Sequence, residues 1–182
     1  MKPLNRFVGL MISAFHNRNQ RRLRKLNDRI MRDAALEPNE IIFTMAVFSY
    51  VLSKIVSKPR FLTPENQINL TNIENALQNL ANVMTHYNKE EIMPAFSRLE
   101  KSIAVLEKED PRFVITLVRK GKLKMAATFY AQGMSLGMAS EMTSLDKQEI
   151  LDYAGQTMMF DRLKDVRTIK ERLKIARNFF IG

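Results

Sequence analysis

The sequence predicts an all-α protein, a single multi-helix bundle of about seven or eight helices, on three observations. Apolar residues recur at spacings of three and four along most of the chain. Turn-forming residues are scarce, with six Gly and six Pro in 182 residues. No segment shows the sustained alternation of a half-buried strand, and no Asn-Gly or Asp-Gly pair marks a hairpin. Since a chain of this length buries roughly 70% of its unfolded surface, we expect one domain over residues 1–182.

The first helical segment covers residues 4–34. Pro3 is suited to the first position of a helix, because its ring presets φ and the N–H that it lacks would be unpaired there. A polar interval interrupts the apolar stripe, so one long helix and two helices with a break near residues 17–19 both fit. The stripe consists of Leu4, Phe7, Val8, Met11, Phe15, Leu23, Leu26, Ile30 and Ala34.

Proline and capping residues predict the next three helices. Pro59 closes the first of them, since the residue before a proline disfavours the helical conformation. Pro94 opens the last, because proline is favoured in the first turn of a helix. The predicted bounds are Asn39 to Val56, Thr63 to Asn88 and Pro94 to Asp110.

Gly121 separates a predicted fifth helix from a sixth. It follows Arg119 and Lys120, and cations followed by glycine are typical of a helix C-terminus. The sixth helix then covers residues 123–142. It carries methionines at i, i+4 and i+8, which would suit core packing or an adaptable binding groove: Met134, Met138 and Met142.

Two more helices complete the predicted bundle. Asp146 begins the seventh, with Glu149 three residues later as in a capping box, and Gly155 ends it. The eighth, amphipathic and basic, begins at about Asp161. Its apolar residues follow the spacing of a short coiled-coil seam, which fits a homodimer or protein-partner interface as well as packing within the bundle. The seam consists of Val166, Ile169, Leu173, Ala176 and Phe180.

Charge is distributed unevenly along the chain. Residues 1–36 carry nine basic and two acidic groups, residues 37–111 carry seven and ten, and residues 112–182 carry thirteen and seven. The chain is therefore divided into a basic N-terminal helical arm, an acidic helical middle and a basic helical C-terminal part. The two basic parts form one surface if the terminal helices pack together, and two surfaces if they do not.

The strongest basic cluster places seven cations within residues 18–32. Most of them are three or four residues apart, so on a helix they would share one face. Arginine forks match phosphate oxygens, which makes this face a predicted nucleic-acid-binding site. No aromatic residue lies within the cluster, so base stacking is not predicted. The candidate residues are Arg18, Arg21, Arg22, Lys25, Arg29 and Arg32.

A second basic cluster surrounds Gly121, and we expect it to add phosphate contacts to those of the first. Cations near the end of a helix also complement its dipole, which is the alternative explanation. Cations on the last helix have the same two explanations, because acidic residues are interspersed among them. The candidate residues of the second cluster are Arg119, Lys120, Lys122 and Lys124, with Arg112 before them.

Sequence signatures of enzymes are missing. Gly133-Met-Ser135-Leu-Gly137 matches the G-x-S-x-G pattern of hydrolases, but its surroundings are helical and both histidines, His16 and His86, precede the serine. No nucleotide-binding glycine motif occurs, and neither histidine has the Glu-x-x-His spacing of a di-iron bundle. We expect no enzyme activity, no cofactor and no metal.

Two other binding modes are compatible with the sequence. Residues 137–153 fit a helix-turn-helix, although its second helix is net acidic where DNA phosphates would lie. The apolar face of the N-terminal segment, with Phe7, Met11 and Phe15, would also suit the surface of an anionic membrane. No apolar run reaches the ~20 residues that span a bilayer, and the absence of Cys favours a cytoplasmic location.

The basic clusters therefore predict a helical nucleic-acid-binding protein, regulatory or architectural, that contacts the phosphates of DNA or RNA. The alternative prediction is a non-enzymatic helical module that binds a protein partner or forms a homo-oligomer.

Overall fold

The protein is described by a computed structural model that covers residues 4–36, 39–86, 89–107 and 116–162. Every regular element in these ranges is helical, which confirms the all-α prediction. Two single 3-10 turns, Pro59–Phe61 and Pro64–Asn66, connect α3 to α4. The α-helices are α1 (Leu4–His16), α2 (Gln20–Leu36), α3 (Glu40–Val56), α4 (Gln67–His86), α5 (Lys89–Glu107), α6 (Leu117–Ala131), α7 (Leu136–Thr143), α8 (Lys147–Gln156) and α9 (Met159–Arg162).

The break between α1 and α2 lies at residues 17–19. Of the two alternatives left open by the sequence, two helices is therefore correct. Arg18 has a left-handed φ of 50°. Its N–H donates to the carbonyl of Phe15, and the N–H of Asn19 donates to the carbonyl of Ala14, so α1 ends in a Schellman motif. The Asn19 side chain then accepts from the N–H of Arg22 at 2.9 Å and caps α2.

Helix α3 forms the centre of the fold and is buried along most of its length. Asn39 caps it by accepting from the N–H of Ile42, as predicted from the sequence. Helix α2 packs along one side of α3, where the Asn27 amide donates to the carbonyl of Ala46 at 2.7 Å and to Ser49 Oγ at 2.9 Å. These bonds satisfy the polar side chain that α2 buries in its apolar stripe.

Helix α6 packs on α3 through Gly121. This glycine was predicted to end a helix, and that prediction is wrong, because α6 runs through it from Leu117 to Ala131. A Cβ at Gly121 would lie 2.9 Å from Val51 Cγ2 and 3.2 Å from Val47 Cγ1. The glycine is therefore required by a close helix–helix approach, and not by a chain turn.

Helices α4 and α5 pack on each other, α1 packs on α4, and α5 contacts α3, where the rings of Phe48 and Phe96 stack at 5.5 Å. The prediction that Pro94 begins α5 is wrong, since α5 begins at Lys89 and contains this proline. Glu90 and Glu91 occupy its first turn, where carboxylates complement the helix dipole. The buried stripe also begins earlier, at Ile92, and continues to Leu106.

The apolar side chains form a main core among α1 to α6 and a smaller cluster between α6 and α7 to α9. The single helix predicted over 123–142 is in fact two, because Gly133 adopts a φ of 103° after α6 and Ser135 caps α7. Met134 of the predicted stripe therefore lies in the turn between the two helices, and Met138 and Met142 lie on α7. Met138 is exposed, while Met134 and Met142 are partly buried against the main core.

Candidate nucleic-acid interface

A line of cations lies on the solvent-facing side of helix α2. Arg21, Lys25 and Arg32 are exposed and follow one another at spacings of four and seven, opposite the stripe that α2 buries on α3. Arg22 is exposed beside this line. We call these four residues, Arg21, Arg22, Lys25 and Arg32, the α2 cationic face. Among the described residues, none of their side chains makes a hydrogen bond or an ion pair.

The first turn of α2 is electrostatically unusual. It contains no acidic residue, and Arg21 and Arg22 directly follow Gln20 at its start. Cations at this end of a helix oppose its dipole, by about 0.3–1 kcal/mol each in an exposed position. The face is also nearly uncompensated, because Asp28 is the one acid of α2 that is exposed. Arg21 and Arg22 therefore do not stabilise the helix that carries them.

Arg18 was predicted to belong to this face, but the structure places it elsewhere. Its guanidinium donates to the carbonyl of Phe15 at 2.9 Å and to Glu74 Oε1 of α4 at 2.8 Å. The side chain is partly buried there. His16 Nδ1 lies 3.3 Å from the other carboxylate oxygen of Glu74. Arg18 thus joins the α1–α2 turn to α4 and has little capacity left for a phosphate.

Arg29 lies at the edge of the face. Its guanidinium is 5.8 Å from the centre of the Phe7 ring of α1, within the range of a cation–π contact. The side chain is partly buried. Arg29 is therefore shared between packing on α1 and the cationic face.

The four cations predicted on α6 do not act together. Arg119 Nη2 pairs with Glu149 Oε1 of α8 at 2.6 Å. Lys122 lies on the side of α6 that lines a cleft of about 130 Å³, where Glu40 and Glu100 are also present. Lys120 and Lys124, four residues apart, lie on a different side of α6. Lys120 is near enough to the Glu107 carboxylate of α5 for its charge to lower the pKa of Glu107, which burial raises, whereas Lys124 lies beside Tyr50 of α3.

Lys124 meets α3 and α2 at Tyr50. The Lys124 ammonium is 4.6 Å from the centre of the Tyr50 ring, and the Lys54 ammonium is 5.4 Å from it. Arg24 of α2 is near enough for its charge to act on the Tyr50 phenol. The phenol of Tyr153 of α8 acts on it as well. We call these residues, Arg24, Tyr50, Lys54, Lys124 and Tyr153, the Tyr50 junction.

The helix directions explain why these groups meet. Arg24 lies near Tyr50, while Asn27, three residues later in α2, bonds to the carbonyl of Ala46, four residues earlier in α3. Similarly, Gly121 contacts Val51, while the Phe129 ring is 5.3 Å from that of Phe43. Both α2 and α6 are therefore antiparallel to α3, and their N-terminal halves flank its C-terminal half.

The Tyr50 phenol stays neutral over a wide pH range. Burial is the main cause that raises the pKa of Tyr50 to about 12. The Tyr153 phenol raises the pKa further, and the positive charge of Arg24 lowers it. A neutral phenol can donate a hydrogen bond to an anion, which its ionised form cannot.

Sequence reasoning missed Arg24, Tyr50 and Lys54. Arg24 belongs to the basic cluster but falls outside the spacing chosen for its face. Tyr50 and Lys54 lie in the most apolar run of the chain, at i and i+4. This pair of polar-tipped residues within an otherwise buried helix was the signal available, since such tips reach toward solvent or a ligand.

The G-x-S-x-G match has a structural explanation. Gly133 ends α6 in a Schellman motif, and Ser135 Oγ accepts from the N–H of Met138 to cap α7. Neither glycine serves close helix packing, because nothing approaches the Cβ position of Gly133 or Gly137 within 4 Å. The residues that the structure describes contain no group of three or more His, Asp or Glu able to hold a metal.

Helices α7 and α8 do form a helix, short turn and helix, with Ala139, Leu145 and Ile150 buried between them. The outward side of α8 carries Gln148, which donates to Asp152 at 2.8 Å. Glu149 is already paired with Arg119. This side of the helix pair therefore offers carboxylates rather than a cationic surface.

Two predicted features lie outside the described residues or in the core. The seam of Val166, Ile169, Leu173, Ala176 and Phe180 lies outside the described residues, as does Arg112. Phe7, Met11 and Phe15 are buried in the main core, so the apolar face of α1 is not available to a membrane surface. None of the described helices combines the length and apolar character needed to cross a bilayer.

Comparison with known proteins gives no match, whether to family models, to curated proteins or to solved structures.

Proposed function

We propose that this protein binds nucleic acid, in a regulatory or architectural role, and contacts phosphates through the α2 cationic face. The observation that carries the proposal is the placement of Arg21 and Arg22 in the first turn of α2. They oppose the helix dipole there, and within the described residues no carboxylate pairs with them. Residues that work against their own helix are expected where a function requires them.

The arrangement of the cations suits a phosphate backbone. Arg21, Lys25 and Arg32 lie along about three turns of one helix, which places their charges in a row. Arginine forks donate to phosphate oxygens in a bidentate manner, and exposed side chains can adjust to the strand. The Tyr50 junction adds Lys54 and Lys124 beside the N-terminal half of this row. Together they extend the positive surface across three helices.

The salt dependence of binding tests the proposal. We would titrate labelled duplex DNA and single-stranded RNA with the protein at about 50 and 200 mM salt and follow fluorescence anisotropy. Binding should weaken with a log–log slope near −0.9 for each phosphate neutralised on duplex DNA. In the variant with Arg21→Ser, Arg22→Ser and Lys25→Ser, we expect the slope to be shallower by about 2 to 3 units and affinity at low salt to fall at least about tenfold.

A matched variant controls for net charge. Arg98→Ser, Lys101→Ser and Lys147→Ser remove three exposed cations from α5 and α8 and lower the formal charge from +10 by the same amount. This control should keep the wild-type slope. The proposal is wrong if the wild-type protein binds neither nucleic acid at low salt, or if both triple variants lose the same slope.

A further inference from the structure

The cleft of about 130 Å³ lies between α3, α5, α6 and the end of α7. Its floor is apolar and well packed, since the buried rings of Phe48 on α3 and Phe96 on α5 stack with planes 4° apart. Phe43 is buried in the same floor, and the flexible side chains of Met93 and Met142 border it. We call it the Phe48 cleft. Its volume suits a ligand smaller than the molecules that fill pockets of about 300–1,000 Å³.

Three charged side chains line the Phe48 cleft without pairing with one another: Glu40, Glu100 and Lys122. Within the part of the chain that the structure describes, none of the three makes a hydrogen bond or an ion pair. Glu100 and Lys122 are nevertheless partly buried. A few polar groups that converge on an apolar cleft without satisfying one another are typical of a small-molecule site.

Helices α3 and α5 run in the same direction. They meet where the ring of Phe48 stacks on that of Phe96. Eleven residues later in α5, the Glu107 carboxylate accepts a hydrogen bond from the N–H of Leu117, the first residue of α6. Because α6 is antiparallel to α3, its first residue lies toward the C-terminal end of α3. Helix α5 therefore proceeds toward that same end.

These directions distribute the charges along the cleft. Glu40 lies eight residues before the stacked ring of α3, and Glu100 lies four residues after that of α5. The two carboxylates are therefore at opposite ends of the apolar floor. Lys122 directly follows Gly121, which packs on the second half of α3 at Val51. It therefore lies nearer to Glu100 than to Glu40 along the cleft.

We infer that the Phe48 cleft binds a free α-amino acid with a long cationic side chain, such as lysine or arginine. Glu100 and Lys122 present one negative and one positive charge at the same end, which complements an α-ammonium and an α-carboxylate. The aliphatic stem of the ligand lies on the apolar floor, and Glu40 accepts from its distal cation. The site has two negative charges and one positive charge, and the ligand has the reverse. This assignment does not depend on the proposed nucleic-acid binding.

Matched ligands test the assignment, because each lacks one of the three charged groups. We would titrate the isotopically labelled full chain and follow its amide resonances by NMR at constant ionic strength. L-lysine or L-arginine should bind with a Kd of about 1 mM or tighter and shift amides that line the Phe48 cleft. Norleucine lacks the distal cation, cadaverine the α-carboxylate and Nα-acetyl-lysine the α-ammonium. Each should bind at least about tenfold more weakly than L-lysine, since one contact between charged groups is lost.

Variants that remove one charge each assign the individual contacts. Glu40→Gln keeps the shape of the side chain, so it should remove most of the preference for L-lysine over norleucine and leave the binding of norleucine unchanged. Lys122→Gln should likewise remove most of the preference for L-lysine over cadaverine. The matched control combines Glu91→Gln and Lys101→Gln, two exposed residues of α5 outside the cleft. It should keep both preferences at their wild-type values.

The ligand series on the wild-type protein keeps the assignment testable even if a variant fails to fold. The assignment is overturned if neither L-lysine nor L-arginine shifts the amides of the cleft at about 10 mM. It is also overturned if norleucine or cadaverine binds as tightly as L-lysine, because the cleft would then select an apolar amino acid or a diamine. Loss of both preferences in the control variant would show that net charge, and not the Phe48 cleft, selects the ligand.

Discussion

Helices α2 and α4 are both long, both amphipathic and both packed against α1, but their outward faces are chemically opposite. Helix α2 carries six cations and two acids, whereas α4 carries one acid, Glu74, and neither Lys nor Arg. The exposed stripe of α4 consists of amides, Asn72, Asn75, Asn79 and Asn82. A solvated helix of this fold can thus be built without cations. A solvated surface does not require the exposed charge on α2, which favours the binding role that we propose for it.

The two helices also differ in where their asparagines lie. Asn27 of α2 is buried and bonded to α3, while the asparagines of α4 face solvent. On α2 the polar side chain fixes the helix against its neighbour through buried bonds. On α4 the asparagines lie at the surface, where Asn79 accepts a hydrogen bond from Arg98 of α5 at 3.1 Å. This difference gives the largest expected effect on stability.

Asn27→Ala should lower the free energy of unfolding by about 1–3 kcal/mol, because it removes the two buried hydrogen bonds that the Asn27 amide donates to the carbonyl of Ala46 and to Ser49 Oγ. Asn75→Ala, on the exposed stripe of α4, should change it by no more than about 0.5 kcal/mol. Urea denaturation of the two variants measures the contrast. Equal effects would show that α2 is not anchored through Asn27.

A second prediction concerns pH at the Tyr50 junction. The folded pKa of about 12 lies above the ordinary value of 10, so the neutral phenol is favoured by folding. This contribution is fully present below pH 10 and is lost as the pH rises toward 12. Because Tyr50 is partly exposed, we expect a loss on the order of 1 kcal/mol. We would measure the free energy of unfolding in urea at about pH 9 and 11.5. It should fall less for Tyr50→Phe than for the wild type, and equal falls would show that Tyr50 does not cause the loss.

The smallest predicted effect is a difference between Arg18 and Arg21 in the salt dependence of oligonucleotide binding. Arg18→Ser should leave the salt slope of oligonucleotide binding nearly unchanged, since its guanidinium is held by Glu74 and Phe15. Arg21→Ser should make the slope shallower by about 0.9 on duplex DNA. Anisotropy titrations at several salt concentrations measure both. If Arg18→Ser changes the slope as much as Arg21→Ser, the division between a structural and a binding arginine is wrong.

The local parts of this fold could be predicted from the sequence, and the long-range parts could not. Asn39 and Pro59 gave the position of α3 because capping and proline effects act over a few residues. The same local reasoning misplaced Gly121, because its conformation is set by Val47 and Val51, some seventy residues earlier in the chain. A glycine after two cations suits both a helix end and a helix crossing.

The candidate site shows the same division. Helical spacing correctly predicted that Arg21, Lys25 and Arg32 share one exposed face. Spacing could not show that Arg18 pairs with Glu74, 56 residues away, because nothing local to either residue marks the contact. Nor could it bring Arg24 and Lys124 to Tyr50, which depends on α2 and α6 both being antiparallel to α3.

The most direct test replaces exposed cations of α2 by amides like those on the exposed stripe of α4. Arg21→Gln, Arg22→Gln and Lys25→Gln together replace cations by amides of similar helix propensity. We expect the free energy of unfolding to stay constant or rise by up to about 1 kcal/mol, since two cations no longer oppose the helix dipole. Affinity for duplex DNA or single-stranded RNA at about 50 mM salt should fall at least tenfold. A variant that loses more than about 1 kcal/mol of stability and binds as before would contradict the account, because its cations would then serve the fold.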